Sequence, residues 1–311
     1  MKCAVIDIGS NSMRLTVYHA ARSSFKILFK EKIMTALAGY IESGRLSDEG
    51  IDTACGALME FKERLRVLGV TDVYVFATAS LRNIGNTEEA RQKIERFTGF
   101  DIEVITGQQE ALYGFTGALC DVSVTDGVFA DIGGASTEIS VFCEGEIKSA
   151  ESFPIGSLKL YKECVRNIVP GRGSLQRIDE RICSELGDRV FFSSSSHGDK
   201  VFSGSSPENP VVCIGGTSRA VLKMAHKVFS LPASQNFIRR DELDELCGIL
   251  FPADKKACDL ILKVAPERIH TLIPGMMILR YITHKFSAPQ IIVSRYSVRE
   301  GYLCRKIQPM I

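Results

Sequence analysis

The sequence predicts an α/β protein of two similar units, each built on a mixed sheet. Three observations predict it. Apolar strands alternate with amphipathic helices along the chain, and hairpin spacings occur beside crossover spacings, so antiparallel and parallel pairs share a sheet. A length of 311 residues exceeds what one compact core usually fills. Finally, the opening VIDIGSNSMRLTVY (5–18) is echoed by FADIGGASTEISVF (129–142), with Asp7 and Asp131 standing 124 residues apart (131 minus 7). Of the six positions in DIGSNS and DIGGAS four are identical, and the echo gains weight because both copies open an α/β unit of similar size.

In the first unit, residues 2–8 read as a strand, and 13–19 as a second in which Met13, Leu15 and Val17 alternate with Arg14, Thr16 and Tyr18. A third apolar run lies near 25–29. A helix follows at about 47–69, with Ser47 as N-cap and Ile51, Leu58, Phe61 and Leu65 near one face. VYVFAT (73–78) is a buried-type strand. A helix near 86–97 is capped by Asn86 or Thr87, 101–105 is a strand and 107–119 another helix. The second unit repeats the opening from strand 127–131. Helices are expected at 157–167 and 173–187, a loop without function of its own at 190–210, a core strand at 211–216 and a helix at 217–229. Helices interrupted at Pro252, Pro266 and Pro274 fill 240–287, then come strand 291–294 and a closing helix at 296–305. The expected boundaries are 1–120 and 121–297, with the closing segment 298–311 packing back on the first unit.

A net charge of +1 predicts no global attraction to nucleic acid or membrane, so a polyanion must be handled by a local patch. The ten cysteines show no paired spacing and no C-x-x-C, which argues against zinc and disulfides. Cys3, Cys213 and Cys247 sit in apolar runs as small hydrophobes. With no secretory leader and no membrane-spanning run, a cytoplasmic location is expected.

The turns carry the chemistry. Gly9-Ser10-Asn11-Ser12 and Gly133-Gly134-Ala135-Ser136-Thr137 place small residues after a strand, where successive N–H groups form an anion-binding nest. One copy alone would be read as a hairpin turn; two in register point to two phosphate cradles. Asp7 and Asp131 end their strands at the edge where open sheets place ligands, and oxygen ligands there suit Mg²⁺. Glu138, seven residues past Asp131, could approach the same ion or be a solvated strand glutamate. Glu110, in ITGQQEALYGF (105–115), stands in a first helical turn, where capping and the helix dipole are the ordinary explanation. Arg82, after a core strand, could grip phosphate bidentately, and Arg268 is similarly ambiguous; by itself the first is more often a surface ion pair and the second more often structural.

Together these segments resemble the exopolyphosphatase/guanosine pentaphosphatase (Ppx/GppA) family over essentially the whole chain. The blocks are DIGSNSMRL (7–15), ATASLRNIGN (77–86), ITGQQEA (105–111), ADIGGASTE (130–138), FPIGSLKL (153–160), CIGGTSRA (213–220), the stretch from Arg268 through Gly275, and VREG (298–301). The resemblance implies two ribonuclease-H-like domains of the actin/sugar-kinase/Hsp70 superfold facing a central cleft. It implies a metal-dependent phosphohydrolase that releases terminal phosphate from inorganic polyphosphate or the 5′-phosphate of pppGpp. Glu110 would then activate water, Asp131, Glu138 and Asp7 would attend Mg²⁺ (or Mn²⁺), and residues 9–12, 133–137, Arg82 and Arg268 would hold substrate. A homodimer is expected by the same resemblance, as is the short, two-domain form. The chain departs from the family pattern at Ala135, where a third glycine is usual, at Gln109, and at Leu112 and Lys159, where arginine is usual. If Ala135 needed a positive φ, it would cost about 1 kcal/mol or more. These departures motivate an alternative, a non-hydrolytic sensor of nucleotide or polyphosphate.

Overall fold

The computed structural model describes residues 1–187 and 209–310. The chain divides into one unit of Met1–Gly117 with Val298–Ile311, and a second of Ala118–Ser297.

The first unit opens with an antiparallel meander of β1 (Lys2–Ile8), β2 (Ser12–Ala21) and β3 (Ser24–Met34). A small ribbon, β4 (Ile41–Glu42) and β5 (Arg45–Leu46), leads into α1 (Asp48–Leu68). Then come β6 (Asp72–Ala77), α2 (Ala79–Arg82), α3 (Thr87–Thr98), β7 (Ile102–Val104) and α4 (Gly107–Leu119). The sheet order is β3-β2-β1-β6-β7, with β1, β6 and β7 parallel. Because side chains alternate along a strand, β1 splits its residues between two faces. Ala4, Ile6 and Ile8 join Leu58, Phe61 and Leu65 of α1 and Ile94 of α3 in one apolar core. Cys3, Val5 and Asp7 face the other way, beside Tyr18, Thr16 and Arg14 of β2.

Local chemistry sets the helix ends. Ser47 Oγ accepts a hydrogen bond from Gly50 N at 3.2 Å, and Gly69 closes α1 at φ 61°, which favours glycine. Asn86 stands at the N-cap of α3, as expected, but its side chain does not cap the helix. Its side chain instead exchanges two 2.9 Å hydrogen bonds with the backbone of Leu46, tying the ribbon to the unit.

The second unit repeats the meander as β8 (Gly127–Ile132), β9 (Thr137–Cys143) and β10 (Glu146–Phe153). It continues through α5 (Ser157–Cys164), α6 (Arg172–Leu186), β11 (Val211–Ile214), α7 (Gly215–Phe229) and β12 (Phe237–Arg239). Next are α8 (Arg240–Leu250), α9 (Lys255–Val264), a 3₁₀ turn at Pro266–Arg268, α10 (Leu272–Lys285) and β13 (Gln290–Val293). The order β10-β9-β8-β11-β13-β12 reproduces that of the first unit, with β12 added antiparallel at the edge. With the small ribbon of the first unit and the edge strand β12 of the second left out of the count, both sheets run 3-2-1-4-5, three antiparallel strands followed by parallel ones, the ribonuclease-H-like arrangement. The chain returns to the first unit as α11 (Val298–Tyr302), followed by a π turn at Leu303–Ile307 and a 3₁₀ turn at Gln308–Met310.

Some expectations need correction. Pro274 does not interrupt a helix: it is the third residue of α10 and precedes the first bonded amide, Gly275 N to Thr271 O at 3.1 Å, so its missing N–H costs nothing. The core strand expected over 211–216 ends at Ile214, and Gly215 and Gly216 belong to the first turn of α7. The closing helix is only Val298–Tyr302 as a regular α-helix. The stretch 190–210 lies outside the described residues apart from Asn209 and Pro210. All ten cysteines are free thiols, and among the described residues no helix is long and apolar enough to cross a membrane.

Candidate functional site

The two turns are built by the same contact. A Cβ on Gly9 would lie 2.9 Å from Ser12 O, and one on Gly133 would lie 2.9 Å from Ser136 O. Glycine stands at each place because the backbone folds back on itself three residues later, not because φ is positive: neither residue has a positive φ. Ala135 is also absent from the positive-φ residues, so the alanine that replaces the family's third glycine sits without backbone strain.

Donors from behind engage the carbonyls of each turn. In the first unit, Ala38 N donates to Ser10 O at 2.9 Å and Ala36 N to Asn11 O at 3.0 Å. In the second, Ser157 N donates to Gly133 O, and Leu158 N and Lys159 N to Gly134 O, each at 2.9 Å. Ser157 Oγ adds a 3.1 Å bond to Gly133 O. The first amides of α5, which have no partner within their own helix, are therefore spent on holding the turn. The contact is tight enough that a Cβ on Gly156 would meet Gly134 C at 2.5 Å.

Asp131 and Glu138 face each other across the β8–β9 pair, so both carboxylates leave the same face of the sheet. Glu138 is buried, and its Oε1 accepts from Ser136 Oγ and from Ser152 Oγ, both at 2.8 Å. The Ser136 hydroxyl thus orients Glu138 rather than standing ready for substrate. Thr137 is a clearer correction: it is fully buried and its hydroxyl donates to Ile155 O at 2.7 Å, which leaves its side chain a support for the turn. Gly215, at φ 90°, passes so close that a Cβ there would lie 2.5 Å from Asp131 Oδ1. Two hard carboxylate oxygens in a space kept open by a glycine fit Mg²⁺, which takes one or two carboxylates and fills its other positions with water and phosphate oxygens. Among the described residues no group of three or more His, Cys, Asp or Glu is placed to hold a metal ion.

In the first unit Glu110 is 8% exposed. Its helix is capped by others: Thr106 N donates to Gln109 Oε1 at 2.8 Å, and Gln109 N to Thr106 Oγ1 at 3.1 Å. Glu110 is thereby released from the capping role that its position suggests. Its Oε2 accepts from Arg82 Nη1 at 2.7 Å, and the same Nη1 also donates to Ile105 O at 3.1 Å. The arginine expected to grip phosphate and the carboxylate expected to activate water hold one another. Asp7 is likewise engaged, its Oδ2 accepting from Arg299 Nη1 at 3.1 Å.

Arg268 lies directly over the first turn of α7. A Cβ on Gly216 would fall 1.9 Å from its Nη2, so glycine is required there, and burial pulls the guanidinium below its ordinary pKa. Gly275 packs in the same way, its would-be Cβ 2.4 Å from Thr217 Cγ2 and 3.3 Å from Ser157 Cβ.

The model of the Ppx/GppA phosphatase family matches residues 16–309. The chain belongs to that family. It is a hydrolase of the phosphoanhydride type. Among the relatives of this family member, exopolyphosphatase 1 of Mycobacterium tuberculosis is 24% identical over 315 aligned residues, covering 99% of this chain and 88% of its own. A guanosine-5′-triphosphate,3′-diphosphate pyrophosphatase of Vibrio atlanticus is 35% identical, but over 50% of this chain and 31% of its own. Among solved structures, an exopolyphosphatase from Cytophaga hutchinsonii aligns at a TM-score of 0.84 with 21% identity, covering 100% of this chain and 99% of that one. The Ppx/GppA protein of Aquifex aeolicus aligns at 0.77 with 22% identity, covering 100% and 98%. The fold is thus that of the Ppx/GppA structures.

Several residues that shape these turns and pairs were not singled out in the sequence: Gly156, Ser157, Gly215 and Thr217 in the second unit and Arg299 in the first. Their blocks are part of the family resemblance, but the reason for each is a close approach between segments distant in sequence.

Proposed function

We propose that the protein is a Mg²⁺-dependent exopolyphosphatase that releases terminal phosphate from inorganic polyphosphate, with the 5′-phosphate of pppGpp as an alternative substrate of the same chemistry. The observation that carries this reading is the state of Glu110: a buried carboxylate freed of capping by Thr106 and Gln109 and aimed by Arg82. Relatives named for both activities support the substrate class.

In this reading Glu110 accepts the proton of the attacking water as its oxygen bonds to the terminal phosphorus and the shortened chain leaves. Phosphoryl transfer asks for positioning and charge neutralisation more than for covalent help, which amide-bearing turns and arginines provide. Arg82 both directs Glu110 and offers a guanidinium to phosphate. Asp131 and Glu138 would hold the Mg²⁺, which when bound neutralises charge on phosphate oxygens. The Ser136 and Ser152 hydroxyls keep Glu138 in place for that task. Arg268 supplies a partly desolvated positive charge at the α7 N-terminus.

The test follows phosphate release from polyphosphates of graded length, pppGpp and ATP, with and without Mg²⁺. Glu110→Gln, which preserves shape and removes the base, is expected to lower turnover by about 10²–10⁴-fold. Undiminished release by that variant would remove Glu110 from the mechanism. Tight binding of these compounds by the wild-type protein without any turnover would favour the sensor reading instead.

A further inference from the structure

The face of the first sheet opposite the α1 core carries buried polar groups that the scheme above does not use. Tyr18 OH donates to Glu300 Oε1 at 2.9 Å, and both residues are fully buried. The next residue, Arg299, is 6% exposed and donates through Nη1 to Asp7 Oδ2. Its Nε is buried and has no hydrogen-bond partner among the described residues. Asp7 stands two residues before Gly9, and its Oδ1 lies 3.9 Å from the point a Gly9 Cβ would occupy. One carboxylate oxygen is therefore tied to the guanidinium while the other lies beneath the Gly9–Ser12 turn.

Stability alone does not explain this arrangement. A buried ion pair is often no better than apolar residues of the same volume, and an orphaned buried N–H is a further cost. The position gives a reason. An unbalanced carboxylate under an anion-binding turn would repel the ligand the turn is built for, because charges this close act through protein of low effective dielectric.

We propose that Arg299 is a positioning residue for polyphosphate: it neutralises Asp7 and fixes its carboxylate under the Gly9–Ser12 turn, so that phosphate oxygens meet the turn's amides without an opposing charge. The proposal rests on the reading of that turn as a phosphate cradle. Glu300 and Tyr18 anchor the helix that delivers the guanidinium. In this assignment Asp7 is a partner of the Arg299 guanidinium, whose charge Glu300 also shares, rather than a ligand of the metal.

The test is calorimetric binding of tripolyphosphate without metal, to the full chain and to Arg299→Met, Arg299→Lys, Asp7→Asn and the Asp7→Asn/Arg299→Met double variant, with thermal midpoints recorded in parallel. Arg299→Met is expected to weaken binding about tenfold or more, and Arg299→Lys, which keeps the charge, to stay within about threefold of wild type. Asp7→Asn alone is expected to hold or tighten binding, and in the Met background to restore it. A Met variant that melts lower but binds as wild type would overturn the proposal. So would a Lys variant as weak as Met, or a double variant no better than the single. If the Met variant does not fold, Asp7→Asn decides: tighter or equal binding supports the pairing, and a tenfold loss overturns it. Wild-type protein that does not bind tripolyphosphate overturns the reading of the turn and this proposal together, whereas wild-type binding untouched by Arg299→Met overturns the proposal alone.

Discussion

Ala135 shows how a single residue can mislead when only its neighbours in sequence are known. As the replacement for a glycine in a phosphate turn it suggests strain, yet its φ is not positive and its neighbours Gly133 and Gly156 carry the steric demand. Ala135→Gly should accordingly leave kcat/KM within about twofold and lower stability by about 0.4–1 kcal/mol, the entropic cost of added backbone freedom. Thermal melts and steady-state hydrolysis check both numbers; a gain in activity of tenfold would restore alanine as an impediment. Glu110 is the opposite case. From the sequence alone capping was the ordinary explanation for its position, and only the structure shows Thr106 and Gln109 closing the helix themselves. Asp7, Asp131 and Glu138 were legible as carboxylates at strand ends. That Asp7 is paired with a guanidinium 292 residues away was not, because nothing local to either residue encodes the contact.

At the scale of elements, legibility followed how local the cause was. α1 was readable because its apolar face, its Ser47 cap and its Gly69 stop all lie within the helix or beside it. α10 was misread at Pro274 because the end of a helix, not its sequence, decides whether a proline interrupts it. The three-residue strand β12 offers too short a pattern to announce itself and exists because it pairs with β13. α5 owes its start to the turn it holds, and this can be tested against a glycine with no such duty. A Cβ on Gly156 would meet backbone atoms of Gly134 and Ala135 at 2.5–2.6 Å, which cannot rotate away, whereas one on Gly56, inside α1, meets nothing within 4 Å. Gly156→Ala should therefore cost about 1–3 kcal/mol and impair hydrolysis beyond the loss of stability, since the Gly133–Ala135 turn must shift. Gly56→Ala should stabilise by about 0.5–1 kcal/mol with activity unchanged. Equal effects at the two positions would mean that α5 does not hold the turn as its hydrogen bonds indicate.

The whole molecule is discontinuous in its first unit, which is completed only by the last residues of the chain. The repeat of two turns was visible in the sequence; the return of α11 was expected from the boundary, but its energetic weight was not, because its partners are dispersed over β1, β2, β6, β7 and α4. Tyr302 stacks on Phe76 with ring centroids 5.0 Å apart and donates to Glu103 Oε2 at 2.8 Å. Lys306 meets Glu103 Oε1 at 3.1 Å. A Cβ on Gly301 would collide with Tyr113 O at 1.7 Å, so the closing helix lies against α4 with no room for a side chain. Removing this segment would expose Phe76 and Tyr113 and leave Tyr18, Asp7 and Glu103 without their partners, and breaking even one buried charge pair costs about 3–5 kcal/mol. Since a domain of this size has a net stability of about 5–15 kcal/mol, residues 1–117 alone should lack a cooperative thermal transition. The same residues joined through a flexible linker to 298–311 should regain one. Circular dichroism melts of the two fragments decide the matter: a transition in the shorter fragment as sharp and as high as in the fusion would show that the sheet and α1 suffice. With the expected outcome, the first unit does not finish folding until residues 298–311 have been made, so the Gly9–Ser12 turn and Glu110 wait on a segment synthesised well after them.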